Sequence, residues 1–406
     1  MLSFGSMKTF LIDVDRRRLL PLTFSRPACD LLVGIDSISE KWGSALQTEL
    51  CSLTASYLGL NEDPEEVNLL IHGTSIPNAA LVEAIAELGE DQILTHRGRF
   101  IAVKAGKAEI SEVQKKIDDG EAISFTFFDR EEVHFNSDLT VIEKPSDIFA
   151  HNGEVLREDF KRLSKNYHST NFSSDVSTKG DEIFVEEGAK LSHCVLNASE
   201  GPIYIGRDAE VMEGSLIRGP FSLGANSTLK MGAKIYGDTS IGKHCKVGGE
   251  VSNSIINDYS NKGHDGYLGN SVIGSWCNLG ADTNTSNLMN TYGEVKVWDY
   301  SREAIVPTGR QFHGLIMGDH AKTGINTMFN TGTVVGMCAN IFGGGFPDKF
   351  IPSFSWGSNE DGFSEFRMDK AEEAANAMMS RRGIKLSKRD KDVFVHVAEH
   401  DRKYRK

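Results

Sequence analysis

The chain has 406 residues, with 57 acidic against 44 basic side chains and a net charge of -13 at pH 7. That length accommodates two or three domains, and the acidic balance argues against nucleic acid as a partner. No apolar run reaches the ~18 residues of a membrane span, no leader pattern opens the chain, and the six scattered cysteines form no CxxC pair, so the expected setting is a reducing cytoplasm away from membranes.

Residues 1–6 read as a tail, with Met7 as a candidate start. Phe10-Leu11-Ile12 reads as a buried strand, and Asp36 to Glu40 opens a helix with capping residues. Val67–Ile71 is a second strand, ending at His72-Gly73-Thr74, and Pro77-Asn78 starts a helix over Ala79–Leu88. Phe100–Val103 and Ser124–Phe128 are further β-rich pieces. Strands alternating with helices predict an α/β domain with a largely parallel sheet, whose ligands sit beyond the carboxyl ends of the strands. Glu154–Asn166 reads as a helix leading onward.

From Ile205 the pattern changes. Ile205, Val211, Ile217, Leu223, Leu229, Ile235, Ile241 and Val247 recur every sixth residue. Glycine follows four of them, and mostly small residues (Ala209, Ser215, Phe221, Ser227, Ala233, Thr239, Cys245, Val251) stand four positions after each. A period of six fits neither a helix nor a lone strand. It fits a β-solenoid in which each flat wall is a short strand, with the aliphatic inside and the glycine accepting positive φ at the corner. The register spans roughly 183–345 and fails at about 252–267 and 285–314, where loops are expected to leave the scaffold. The second gap holds Val295–Trp298 and Ile305–Pro307, whose alternation predicts a β-hairpin standing off the solenoid. His320 just beyond it reads as a structural or phosphate-contact residue. Phe350–Trp356 is an extended aromatic piece expected along a solenoid face, and Met368–Arg382 and Ser387–His400 read as helices. The basic residues from Arg381 to Lys406 read as a solvated helical face.

His264 is flanked by Gly263 and Gly266 in the first gap, where an imidazole is free to face a ligand and suits the work of a general base. The run His264-x-x-Tyr267-Leu268-Gly269, then Asn278-Leu279-Gly280-Ala281-x-Thr283, then Asn287 resembles the acetyltransferase half of the bifunctional glucosamine-1-phosphate N-acetyltransferase/N-acetylglucosamine-1-phosphate uridyltransferases. The resemblance implies a left-handed parallel β-helix of hexapeptide repeats and acetyl-CoA as cosubstrate. It further implies His264 as the base, Tyr267 and Asn287 at the sugar phosphate, Asn278 positioning substrate and histidine, and the Ala281 backbone at the thioester. It also implies a homotrimer, because that family places its CoA site between neighbouring prisms. Ser252-Asn253 stand where the family has a phosphate-binding lysine, and Lys262, Lys296, Arg310 and Lys322 are the alternatives.

Arg18-Leu19-Leu20-Pro21-Leu22-Thr23, Arg26-Pro27 and Leu31-Leu32-Val33-Gly34 resemble the opening of sugar-1-phosphate nucleotidyltransferases. Asp13 to Arg17 replace that family's glycine loop, and Gly73-Thr74 its magnesium-binding Gly-Asp. The resemblance implies UTP or dTTP as substrate, with Arg18 and Arg26 at the nucleotide, Mg²⁺ as cofactor and Asn152 matching a second metal contact. Where the chain departs from the family, Arg16 and Arg17 are the extra cations in place of the glycine loop, and Asp13, Asp15 and Asp30 are the nearest carboxylates to replace the aspartate missing at Thr74.

The expected organisation is a reduced nucleotidyltransferase-like α/β (Rossmann-like) domain over 7–170, a β-helix acyltransferase domain over 180–345 and a C-terminal extension over 346–406 with two helices. The expected function is a cytoplasmic sugar-nucleotide enzyme of the UDP-N-acetylglucosamine type, transferring acetyl from acetyl-CoA to an amino-sugar 1-phosphate at the β-helix, with sugar-1-phosphate nucleotidyl transfer as a second candidate activity in the N-terminal domain. Two alternatives stand beside it: a sugar-1-phosphate nucleotidyltransferase with the solenoid as oligomer platform, and a non-catalytic sugar-nucleotide-binding scaffold.

Overall fold

The structure, a computed structural model, describes residues 7–165, 169–170 and 173–405. The N-terminal tail, the expected helix end at Asn166 and Lys406 lie outside the described residues. The chain divides into two compact units: residues 1–19, 25–31 and 36–144 form the first, and 20–24, 32–35 and 145–406 the second.

The first unit is a nucleotidyltransferase-like α/β fold. Its sheet has the order β2 (Leu50–Leu53), β1 (Lys8–Ile12), β3 (Val67–His72), β5 (Arg99–Gly106), β4 (Gln92–His96), β6 (Glu131–His134). Strand β1 runs parallel to both neighbours and β4 to β6, while β5 is antiparallel to β3 and β4, so five of these six strands run in one direction and the sheet is largely parallel, as expected, with β5 reversed. Helix α1 (Ile38–Leu46) starts where the capping residues place it: Ser37 and Glu40 form a reciprocal capping box. Asn78 caps α2 (Ala79–Ala86) through the Leu81 amide. The Ser124–Phe128 expectation is corrected. Phe125–Phe127 is a 3-10 turn capped by Ser124, and Phe128 stacks on Phe100 at 5.4 Å. The aromatic content that reads as a strand serves instead to cover the core. Helix α3 (Lys107–Asp118) and strands β2, β4 and β6 complete the unit without having been anticipated.

The second unit is a three-walled β-solenoid. Six parallel strands form the first wall, from Ser177–Lys179 to Tyr267–Gly269, and nine form the second, from Ile183–Val185 to Phe350–Ile351. The third runs from Lys190–Leu191 to Asn261–Lys262 and continues through bridges at Asn278 and Lys322. Ile203 pairs with Phe221 and Phe221 with Thr239, so one coil is three hexads. The eight aliphatics of the register and the eight residues four positions on are all at most 2% exposed, and the apolar ones among them belong to one continuous core.

The glycines act differently from expectation. Gly206, Gly224 and Gly242 do not have positive φ; the left-handed corner lies two residues later, at Asp208, Asn226 and His244. A Cβ on Gly224 would stand 2.5 Å from the Gly242 carbonyl carbon, so it is the neighbouring coil that demands glycine.

Residues 252–267 do not leave the scaffold. They form a complete but compressed coil, in which Ser240 pairs with Ile255 and Lys246 with Asn261. The second gap is a true excursion, since Ile273 pairs onward with Met317. Its hairpin, Lys296–Asp299 with Ala304–Pro307, forms as expected but packs down rather than standing off. Trp298 stacks on Phe350 at 4.3 Å, and the buried Tyr300 hydroxyl donates to Asp401 at 3.0 Å. The Phe350–Trp356 piece supplies the last coil: Phe350–Ile351 joins the second wall and Ser355–Ser358 extends the third. Helix α4 (Pro145–Ser164) docks through Asn152, which accepts from the Gly34 amide and donates to Ser240 and the Asp238 carbonyl. Helices α5 (Met368–Ser380) and α6 (Lys388–Asp401) end the chain.

Candidate active site

One corner of the solenoid carries an aromatic ladder. His244, Tyr259, Trp276 and His320 occupy the same left-handed corner position, with φ of 58°, 64°, 60° and 60°. Bulky side chains adopt that conformation at a cost, and here stacking offsets it. The rings lie parallel with centroids 5.0, 4.1 and 6.2 Å apart, and Phe394 of α6 meets His320 edge-on at 5.2 Å. His320 is therefore a structural residue, 7% exposed.

Beside the ladder lies a groove of about 830 Å³. Tyr259 and Trp276 line it together with His264, Asn278 and Ala281. His264 is exposed at the tip of the turn between Asn261–Lys262 and Tyr267–Gly269. That turn needs Gly266, which has φ of 119° and no room for a Cβ against the Thr283 carbonyl. Asn278 is exposed on the third wall one coil on, bridging Asn261 and Lys322. The Ala281 carbonyl accepts from the Asn326 amide, and its own N–H has no partner among the described residues. Five cations, Lys230, Lys246, Lys322, Arg381 and Arg382, complete the lining. Burial holds the Lys322 ammonium below its ordinary pKa, and its Nζ donates to the His320 carbonyl at 2.9 Å.

Of the five residues expected at the acetyl-transfer site, three thus share one groove. Tyr267 and Asn287 do not line it. They sit on the adjoining wall, where Asn287 Nδ2 donates to the Tyr267 hydroxyl at 3.0 Å and to Asn270 at 2.7 Å. Burial pushes the Tyr267 phenol up. Among the four replacement cations, only Lys322 reaches the groove. Lys262 points into the core, Lys296 is exposed on the hairpin, and Arg310 pairs with Asp147 at 3.4 Å. Arg381 and Arg382, read from sequence as part of a solvated face, instead line the groove, and Lys230, Lys246, Tyr259 and Trp276 were missed. Their shared location is hidden in sequence because the coils here have unequal lengths.

In the first unit, a cavity of about 240 Å³ opens beyond the carboxyl ends of β1 and β3. Asp15, Arg16, Arg18, His72, Thr74, Arg99 and Glu143 contribute to its walls. Arg18 stands 3.8 Å from Glu143 and 4.0 Å from Asp15, and Glu143 also holds Arg99 at 2.8 Å. Arg16 is largely buried, pairs with Asp13 at 3.3 Å and donates to the Tyr57 hydroxyl, so its charge is committed inside the fold. Arg17 and Arg26 are not among the cavity's described lining residues. Burial pushes the Asp13 carboxyl up despite Arg16, and its oxygens accept from the Ala28 amide and the Thr54 hydroxyl. Asp30 is exposed and accepts from Ser39, and Asn152 belongs to the second unit. No group of three or more His, Cys, Asp or Glu among the described residues is arranged to hold a metal, so the expected Mg²⁺ has no preformed cluster. His72 is 8% exposed, and burial, with Arg99 nearby, pushes its imidazole down to about 4.

Residues 10–168 match the family described as "Sugar nucleotidyl transferase". The chain is 33% identical over 158 residues to the "Bifunctional sugar-1-phosphate nucleotidylyltransferase/acetyltransferase" of Sulfurisphaera tokodaii, covering 37% of this chain and 38% of that protein. It is 26% identical over 162 residues to the "Bifunctional protein GlmU" of Synechococcus elongatus, covering 38% of this chain and 32% of the relative. The matched part thus spans about a third of the length of these curated relatives. Among solved structures, the polySia specific acetyltransferase NeuO is 15% identical with a TM-score of 0.29, over 52% of this chain and 99% of that one. Part of this chain is related, at moderate identity, to bifunctional nucleotidyltransferase/acetyltransferases.

Proposed function

We propose that the solenoid groove transfers an acetyl group from acetyl-CoA to the amine of an amino-sugar phosphate. The observation that carries this reading is the convergence of His264, Asn278 and the Ala281 amide in one groove with five cations. His264 takes the proton as the amine attacks the thioester carbonyl, the C–S bond breaks and CoA leaves as its thiol once protonated. A backbone N–H such as that of Ala281 suits the oxyanion that forms on the carbonyl oxygen. The cations match the phosphates of CoA. Tyr267 and Asn287 face away from this groove within one chain, so their part in sugar binding requires an adjoining copy, consistent with a homotrimer. A panel of amino-sugar phosphates with acetyl-CoA, followed by thiol release, tests the reading. Thiol release with none of them, while CoA fails to bind, rules it out.

A second reading concerns the first unit, and the match over residues 10–168 favours it. Nucleotidyl transfer from UTP or dTTP to a sugar-1-phosphate would place the phosphates at Arg18 and Arg99, the two guanidinium groups on the cavity wall besides the buried Arg16. The described residues do not fit a preformed Mg²⁺ site. Pyrophosphate release is expected to fall at least about tenfold in Arg18→Ala, since a charged hydrogen bond contributes about 1.5–3 kcal/mol. Release unchanged by the substitution would place the nucleotide elsewhere.

A further inference from the structure

The inward column on the third wall reads Val211, Leu229, Val247, Lys262, Leu279, Thr323, Ile341. A lysine stands where the repeat demands an aliphatic, and it is 2% exposed. Its Nζ donates to the His264 carbonyl at 3.0 Å and lies 3.5 Å from the Gly248 carbonyl. Three successive carbonyls of the His264 turn are each held from a different direction. Lys262 holds residue 264 from inside the prism, the Asp282 amide holds residue 265 from the next coil at 3.0 Å, and the Glu250 amide holds residue 266 from the previous coil at 3.1 Å. Among the described residues nothing else donates to the His264 carbonyl.

Stability alone does not account for this lysine. An ammonium brings three donors and meets two acceptors here, one of them at the limit of hydrogen-bond length. Desolvating such a charge is costly, and a well-packed apolar side chain of similar volume is commonly as stable or more so. Burial pushes the Lys262 ammonium down to about 8, against the opposing pull of Asp265 and Asp282. Gly249 is also constrained by it, because a Cβ there would stand 2.9 Å from Nζ.

We propose that Lys262 is a positioning residue for His264, fixing from inside the solenoid the turn that presents the imidazole to the groove. Its effect on rate rests on the acetyl-transfer reading; its ordering of the turn does not. Lys262→Met keeps the stem and removes the donor. The expected result is a folded protein with unchanged or higher thermal stability, a kcat for acetyl transfer lower by about 10- to 100-fold and a KM for acetyl-CoA changed less than about twofold. The amides of Glu250 and Asp282, which bond into the same turn, should exchange hydrogen faster while the rest of the solenoid is unaffected. Leu229→Met, an apolar change in the same column away from the groove lining, should move none of these. Unchanged exchange together with unchanged kcat overturns the proposal. So does a Lys262→Met protein that is strongly destabilised or fails to fold, since the ammonium would then be structural. If the wild-type protein transfers no acetyl group, the reading of the groove fails, and the exchange rates alone decide whether Lys262 orders the turn.

Discussion

His264 is exposed on a turn whose carbonyls are bonded but whose imidazole contributes nothing to the buried core. His264→Ala should therefore leave thermal unfolding within about 0.5 kcal/mol of wild type while lowering acetyl transfer by about 10²- to 10⁴-fold. Wild-type rates in a folded variant would exclude it as the base. His72 makes the opposite case, a buried histidine kept neutral. Its pKa is about 4 in the folded state against an ordinary 6.5, so the unfolded chain takes up the proton first as pH falls. Stability of the first unit should decline from about pH 6.5 and level off near pH 4, by at most roughly 3 kcal/mol from this group. His72→Gln should flatten that slope in denaturant titrations across the window. A slope identical to wild type would mean the imidazole is protonated in the fold.

At the scale of the element, the coil tests which glycines and aliphatics hold the repeat. Leu229 is 0% exposed in the middle of the inward column. Leu229→Ala should cost about 2–5 kcal/mol through lost burial and the cavity left behind. Gly224→Ala adds only a methyl group, yet its Cβ would meet the Gly242 backbone at 2.5 Å. It should destabilise by about 1–3 kcal/mol, read as a lower midpoint in chemical unfolding. A neutral Gly224→Ala would show that the coils can separate at that corner. The compressed coil is the element on which the site depends. It is three residues short between Ser240 and Ile255, yet keeps Tyr259 in the corner ladder, stacked on Trp276 at 4.1 Å, and carries His264, which lines the same groove as Asn278.

At the scale of the whole molecule, the split of the expected site is informative. His264, Asn278 and Ala281 share one groove, whereas Tyr267 and Asn287 bond to each other on the adjoining wall. If both sets act on one substrate, neighbouring solenoids must supply them in turn, which a closed cyclic assembly does. The expected outcome is a trimer of the 44.6 kDa chain by light scattering at micromolar concentration. A monomer that still transfers acetyl groups would remove Tyr267 and Asn287 from the site. Among the described residues no helix is long and apolar enough to cross a membrane, and all six cysteines are buried and free.

Sequence alone determined the solenoid, because its cause is local and repeated: the regular coils from Ile205 to Val247 bury an aliphatic every sixth residue, and that period survives in the chain without reference to anything distant. It also determined the capped helix starts at Ser37, Asn78 and Ser387, where one side chain bonds an amide three residues on. The reversed strand β5, the 3-10 turn at Phe125–Phe127 and the downfolded hairpin depended on partners far along the chain, and propensity could not supply them. The same holds for the groove. Lys230 and Arg381 are 151 residues apart, and only the packing of helix α5, whose end Arg381 caps, against the solenoid brings them to one lining. The reversal of Lys262, from candidate phosphate contact to buried donor beneath His264, was also a tertiary decision. Which wall a residue faces depends on coil length, and the missing three residues of one coil set that direction.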